Sequence, residues 1–298
     1  MSTKIAVIHY RTNPTESSRE LLNAIEESGH IPVYVKIHEI DALLGKDGVA
    51  LMKLNDKLDI DGGVVRSLGF GLTLEQFFKR IGVLEALETN AFIINKAQAI
   101  SITRDKWRTL LALFKNGIRV PDTVVTENPF TAMRFCEKWG RVVIKPIVGS
   151  LGLGSVMTDN SDVAYHIARS LHNNKIPIYE QVFLEKPGYD FRVFVVGDKV
   201  IGAMKRVISS GWKTNIAQGA EGIKISEREY PEVYDIAIKS IKALNLDYAG
   251  VDVAFDKATQ NYYVLELNAF PQWRGLRQAT GVNVAKHIID YVIENIKR

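Results

Sequence analysis

Two hydrophobic rhythms divide this chain. In the first part, short apolar runs alternate with stretches of helical spacing. Lys4–Ile8 is such a run and reads as a buried parallel strand. Pro14 opens a helical stretch in which Leu21, Leu22 and Ile25 share a face, and Gly29 stands where a helix stops. Val33–Ile37 and Ile60–Val65 predict a second and a third strand, Leu74–Leu87 a helix, and Ala91–Asn95 a fourth strand. This alternation predicts an open α/β sheet over about the first 95 residues.

The rhythm then changes. Ser101–Asn116 predicts a helix opened by SITRDKW, Gly117 stops it, and Val120–Pro121 begins an extended segment. Val142–Pro146, Ser155–Thr158 and Pro177–Leu184 read as strands, with a helix over Ser161–Leu171. Phe191–Val207 reads as a hairpin turning at Gly197–Asp198, and Glu227–Leu244 as a long helix. Two strands follow, DYAGVDVAF and NYYVLELNAFP, and Val282–Lys297 closes the chain as an amphipathic helix. Antiparallel hairpins with helices packed on them predict an α+β region after the α/β one. The expected division is residues 1–100, 101–185 and 186–298.

Composition changes this picture little. A chain of 298 residues is long for one layered core, which favours about two or three domains. A net charge of +4 suits an anionic small substrate, and no basic stripe is dense enough for nucleic acid. No apolar run approaches the roughly 18 residues of a membrane span. The single cysteine, Cys136, allows no disulfide within the chain, and no neighbouring histidine marks it as a nucleophile. MSTKIAVIHY reads as a first strand rather than a secretory signal, so the expected compartment is the cytoplasm.

Candidate chemistry is densest in the last two strands. Side chains two apart on a strand share a face, so Glu266 and Asn268 do. If Asp256–Gln260 closes a hairpin, Asp252 falls roughly opposite Glu266. Two carboxylates and an amide oxygen then gather on an apolar sheet, an arrangement that calls for a cation. An all-oxygen ligand set suits a hard ion such as magnesium, which commonly carries phosphate as a further ligand. The alternative is a strand edge whose acids sit in water.

VVIKPIVGSLGLGSV is the second signal. Lys145 ends a strand, and Gly149, Ser150, Gly152 and Gly154 follow. Glycines let backbone N–H groups approach phosphate, and the lysine adds charge. The lysine precedes the glycines and no helix follows, so neither a P-loop nor a dinucleotide fingerprint fits. The pattern suits a flap over a triphosphate, or else a glycine-rich hairpin without function. Glu180 and Gln181 lie in IYEQVF, between apolar neighbours, where they could meet an adenine edge, and Asp190 could accept from ribose. Solvated strand ends are the alternative. Arg192 and Arg206, at opposite ends of the hairpin, could neutralise charge developing on a transferred phosphoryl group. Lys205, Lys213, Asn215 and Lys106 carry the same ambiguity between function and surface. Arg66 directly follows the third strand, where open α/β sheets bind ligands, and could hold a substrate carboxylate or be structural.

SITRDKW, VVIKP with GSLGLGS, YEQVF, DFRVFVVGDKVIGAMKR, KTN, AGVDV and LELNAFP, in that order, resemble the ATP-grasp superfamily and, within it, its RimK-like amino-acid ligases. The resemblance covers roughly Ser101 to Lys297, with the N-terminal part fitting the family's preceding domain more loosely. It implies an ATP-grasp fold behind an N-terminal α/β domain. It assigns Lys106 and Lys145 to the ATP phosphates and the Gly149–Ser155 loop, with Ser150, Gly152 and Gly154, to the flap. Glu180, Gln181, Val182 and Phe183 would line adenine, partly by backbone, Asp190 would hold the ribose, and Arg192 joins the nucleotide site. Lys213 and Asn215 would reach the nucleotide and an acyl phosphate, and Arg206 would stabilise the transferring group. Asp252, Glu266 and Asn268 match the family's triad for two magnesium, or manganese, ions.

The implied reaction is ATP-dependent carboxylate–amine ligation giving ADP and phosphate. Members of this branch add L-glutamate to a ribosomal-protein tail, a lysine-biosynthesis carrier protein, a deazaflavin coenzyme or tetrahydromethanopterin. One departure is QWRGLRQATG after the last strand. Trp273, Arg274 and Arg277 there could stack on and pair with a ring-bearing, carboxylated acceptor, which makes tetrahydromethanopterin the leading expectation. The alternative is that Trp273 packs against the last helix. Rival readings are a ligase of two free amino acids and a non-catalytic ATP-binding module. The partners implied are a small carboxylated acceptor and an amino acid, with no nucleic acid or membrane, and a homo-oligomer left open.

Overall fold

The computed structural model describes residues 2–46, 48–54, 56–149, 154–208 and 221–296. The first part carries β1 (Lys4–His9), α1 (Glu16–Glu27), β2 (Ile31–Lys36), β3 (Ile40–Gly45), β4 (Gly48–Lys53), β5 (Asp56–Lys57), β6 (Gly62–Val65), α2 (Leu74–Glu88) and β7 (Phe92–Ile94). Four of its strands form a parallel sheet in the order β2-β1-β6-β7. Apolar side chains of β1 are buried on both faces, as a parallel sheet requires. Helix α1 starts where the Thr15 side chain accepts from the Ser18 N–H, and Thr73 with Gln76 forms a capping box for α2. The antiparallel β3-β4-β5 sheet was not expected from sequence. Its first strand exposes almost every side chain, Leu43 and Leu44 included, so no alternation of burial marks it.

Two helices, α3 (Ala97–Thr103) and α4 (Lys106–Lys115), stand where one was expected. The Asp105 side chain accepts from the Arg108 N–H and so caps a fresh helix at Lys106. The second sheet comprises β8 (Thr123–Thr126), β9 (Val142–Lys145), β10 (Val156–Thr158) and β11 (Ile178–Val182), antiparallel in the order β10-β9-β11-β8. Helices α5 (Pro129–Trp139) and α6 (Ser161–Asn173) cover one face through Ala132, Cys136, Ala164 and Ala168.

The third sheet has β12 (Tyr189–Val196), β13 (Lys199–Val207), β14 (Glu221–Lys224), β15 (Tyr248–Asp256) and β16 (Asn261–Asn268), in the order β14-β13-β12-β15-β16. Its helix α7 (Pro231–Ala243) begins later than expected, at the proline that is tolerated in a first turn but not in a helix interior. Helices α8 (Arg274–Thr280) and α9 (Val284–Ile296) end the described chain. Ile288, Ile289 and Val292 of α9 enter one core with Ile5, Val7 and Val64 of the first sheet. Gly62 allows that approach, because a Cβ there would collide with the Ile296 side chain. Among the described residues no helix is long and apolar enough to cross a membrane.

Candidate active site

Asp252 pairs with Glu266 across β15 and β16, as expected, after an irregularity between Asp252 and Val253 shifts the register by one residue, and Gly250 pairs with Asn268. On the other side of β15, Arg192 of β12 lies opposite Asp252, and Arg206 of β13 lies opposite Asp190. Register therefore brings two acids and two arginines together in the middle of the sheet. Arg192 Nη1 donates to Asp252 Oδ1 at 2.6 Å, and Arg206 Nη2 lies 3.2 Å from Asp252 Oδ2. Arg206 also grips Asp190 with two bonds, Nε to Oδ1 at 2.7 Å and Nη2 to Oδ2 at 3.0 Å. All four side chains are buried, so each charge needs the others. Burial pushes the Asp252 carboxyl up, but Arg192 and Arg206 outweigh it and hold the group below its ordinary range. Burial wins at Asp190, whose carboxyl is raised despite Arg206.

Gly250 makes this lattice fit. A Cβ at that position would sit 2.5 Å from Arg192 Cζ, so the guanidinium occupies the space a side chain would take. The side chains of Glu266 and Asn268, by contrast, accept no hydrogen bond among the described residues. Burial raises the Glu266 carboxyl, and Lys106 and Lys145 offset this only in part. The oxygen set fits a hard cation: Glu266 and Asn268 are uncommitted acceptors, while Asp252 shares its charge with the arginines.

The second sheet faces these acids with lysines. Lys145 Nζ, at the end of β9, donates to Gln181 Oε1 at 2.6 Å, and Gln181 Nε2 donates to Thr123 Oγ1 at 3.0 Å. Burial lowers Lys145 to about 8, with like charge from Lys106 and Lys186 adding to the effect and Glu266 opposing it. Lys106 Nζ donates to the Gly149 carbonyl at 2.9 Å, so the first residue of α4 holds the start of the glycine loop. Gly154 has φ +74° at the far end of that loop. Ser150, Gly152, Lys213 and Asn215 lie outside the described residues.

Several sequence expectations need correction. Glu180 points away from the lysines, since alternate residues of β11 face opposite sides. Its carboxylate is fully buried on the α5 side, where its charge reaches the Cys136 thiol, and neither oxygen has a partner. The N–H groups of Val182 and Phe183 donate to the carbonyls of Asp122 and Arg141. Asp190 does not offer an open carboxylate for ribose, because both oxygens hold Arg206. Trp273 does not present a stacking face: it is 1% exposed and its Nε1 donates to Glu20 Oε2 at 2.6 Å. Arg277 pairs with Glu16 and Glu20, whereas Arg274 is exposed.

Arg66 is sealed as well, at 2% exposure, with its Cζ 4.3 Å from the Trp273 ring centroid. Its Nη2 donates to the Pro271 carbonyl at 2.8 Å and its Nη1 to Tyr248 Oη at 3.3 Å. Direct contact with an acceptor is therefore not its role in this arrangement. Asn95 does similar work that sequence reading missed. It donates to the carbonyls of Tyr248 and Ala269 and accepts from the N–H groups of Asp247 and Tyr248. Together Arg66 and Asn95 fasten the segment after Asn268 to the ends of the first sheet. The available signal was a polar residue ending a buried apolar run.

Known proteins bear on this geometry. A family model described as a RimK-like ATP-grasp domain matches residues 103–292. A tetrahydromethanopterin:alpha-L-glutamate ligase of Methanococcus maripaludis is 32% identical, covering 93% of this chain and 94% of its own. A probable alpha-L-glutamate ligase of Legionella pneumophila is also 32% identical, covering 99% and 96%. Among solved structures, the ATP-grasp ligase PsnB complexed with a minimal precursor superposes with a TM-score of 0.75 at 24% identity, covering 99% of each chain. The mixed α/β architecture is thus that of ATP-grasp ligases, and the chain belongs to the RimK-like ATP-grasp family.

Proposed function

We propose that this chain is an ATP-dependent ligase joining the amine of L-glutamate to a carboxylated small-molecule acceptor. The observation that carries the reading is the buried Asp190–Arg206–Asp252–Arg192 lattice beside Glu266, facing Lys106 and Lys145. Anionic phosphates would lie between lysines on one side and acids on the other, an arrangement that needs divalent cations between them. Asp252, Glu266 and Asn268 would hold two magnesium ions, which when bound neutralise phosphate charge. Residues 1–100 would form the preceding domain, and 101–185 and 186–298 the two halves of the grasp.

The chemistry follows from leaving groups. A carboxylate oxygen of the acceptor attacks the terminal phosphorus, the bond to ADP breaks, and an acyl phosphate forms. The glutamate amine then attacks the acyl carbon, phosphate departs, and the amine loses a proton. Lys106 and Lys145 would bind the phosphates, with Lys145 poised by its bond to Gln181. Arg206, fixed by two acids, would meet the transferring group without having to reorganise. Lys213 and Asn215 would act at the nucleotide and acyl phosphate.

Relatives named for tetrahydromethanopterin and for alpha-L-glutamate make those two compounds the first to test, since Trp273 no longer argues for a ring-bearing acceptor. The test is phosphate release from ATP across a grid of acceptors and amino acids. Release dependent on both L-glutamate and one carboxylated acceptor is expected. Release that no amino acid stimulates would overturn the reading.

A further inference from the structure

The carboxyl ends of β1 and β6 hold an unneutralised group of cations. Arg66, at the end of β6, is buried, and its Nε has no hydrogen-bond partner. Arg11 follows the end of β1 and is exposed, with its Nε 3.2 Å from Tyr10 Oη. Among the described residues neither arginine forms an ion pair. Both lie close enough to His9 to depress it, and burial contributes most, so that His9 titrates at about 4. His9 is itself 5% exposed and neutral near pH 7.

Its tautomer is fixed. The Arg11 backbone N–H donates to His9 Nδ1 at 2.9 Å, so the imidazole proton resides on Nε2. No described residue accepts from Nε2. The first turn of α1 adds to the same corner: Ser17 and Ser18 are buried there, and Ser17 Oγ is 3.3 Å from Arg66 Nη2. A helix start contributes further partial positive charge. A buried and an exposed guanidinium, neither in an ion pair among the described residues, a helix start and an N–H donor with no described acceptor make a site for an anion, not for a cation or a neutral ring.

The corner adjoins the candidate active site, because Arg66 also holds the Pro271 carbonyl, three residues past Asn268. We propose that His9 and Arg11 bind a second carboxylate of the acceptor, the one that is not phosphorylated, with Arg66 supplying charge from behind. The acceptor is then a dicarboxylate or larger polyacid. This rests on the ligase reading, since it presumes that the other carboxylate is the one activated.

The probe is N-acetyl-L-glutamate, with N-acetyl-L-alanine as its monocarboxylate control, each titrated calorimetrically into the full chain. Tighter binding of the dicarboxylate is expected. His9→Phe keeps a ring beside Tyr10 but removes the donor, and should weaken dicarboxylate binding by about tenfold or more. His9→Gln restores an N–H near the Nε2 position and should stay within about threefold of wild type. Arg11→Gln, at an exposed position, should also lose about threefold or more. Affinity for a non-hydrolysable ATP analogue should not change in any variant. Equal binding of the two probes, no binding of either, or matched behaviour of His9→Phe and wild type would overturn the proposal. Failure of the wild-type chain to bind the ATP analogue would instead count against the ligase reading, so the two failures are separable.

Discussion

Glu180 should make this protein lose stability as pH rises. Its carboxyl is fully buried between the second sheet and α5, with neither oxygen paired, and burial pushes it up to about 8. In the unfolded chain a glutamate titrates near 4.5. Between those values the folded state holds a proton that the unfolded state has released. Stability rises with pH only where the unfolded state binds more protons, so here it must fall as pH climbs from about 4.5 to 8. At about 1.4 kcal/mol per pH unit, the loss between pH 5 and pH 8 is of order 3 kcal/mol. Glu180→Gln is nearly isosteric and cannot ionise. It should match wild type near pH 5 and exceed it by about that amount at pH 8. Cys136 gives a local assay, being 1% exposed on the helix packed against Glu180. Labelling of its thiol by an aromatic disulfide reagent requires this layer to open, and thiol ionisation cancels in the ratio of variant to wild type. Protection should grow in Glu180→Gln relative to wild type by about a hundredfold between pH 5 and pH 8. A ratio independent of pH would refute the reasoning, and would mean that the carboxylate finds a partner or water.

Three further outcomes test the site. Glu266→Gln should abolish positional isotope exchange in ATP without lowering the melting temperature, because it removes one charge facing the phosphates from a carboxyl that burial already disfavours; near-normal exchange would count against the triad. Lys145→Ala should weaken nucleotide binding by tenfold or more, about the loss of one charge-assisted bond, as read by titration with an ATP analogue. Gly250→Ala should displace the Arg192 guanidinium from Asp252 and cost about 1–3 kcal/mol in thermal unfolding, with the cost relieved when Arg192→Met is added.

The chemistry of the third sheet was legible from the strand period, since alternation places Glu266 and Asn268 on one face. The turn alone would set Asp252 beside Leu265, because Val253 pairs with Val264, and an irregularity between Asp252 and Val253 brings Glu266 opposite instead. What sequence alone could not show was the commitment of those side chains. Asp190 and Asp252 read as open acceptors for ribose and metal, but arginines on neighbouring strands claim them: Arg206 holds Asp190 across the β12–β13 hairpin, and Arg192 reaches Asp252 across non-consecutive strands, a pairing with no local signature. Glu180 read as a site residue because it neighbours Gln181, although the pleat sends the two to opposite faces. Trp273 and Arg66 each looked available, and each became the other's packing partner across more than half the chain. The β3-β4-β5 sheet escaped notice for the opposite reason: past Ile40 every side chain of β3 is exposed, so burial wrote no alternation into it.

The helix Val284–Ile296 covers apolar side chains of the very first strand, Ile5 and Val7 among them. During synthesis that core, which α1 covers only in part, is completed only once the residues from Val284 on have been made, at roughly 5–20 residues per second. The first sheet can assemble early, but one of its faces stays partly exposed until then. A fragment ending near residue 100 would keep that exposed face permanently and should associate with itself. The first strand and the last helix instead meet late, and the segment after Asn268 that Arg66 and Asn95 hold is drawn into place by the same closing step.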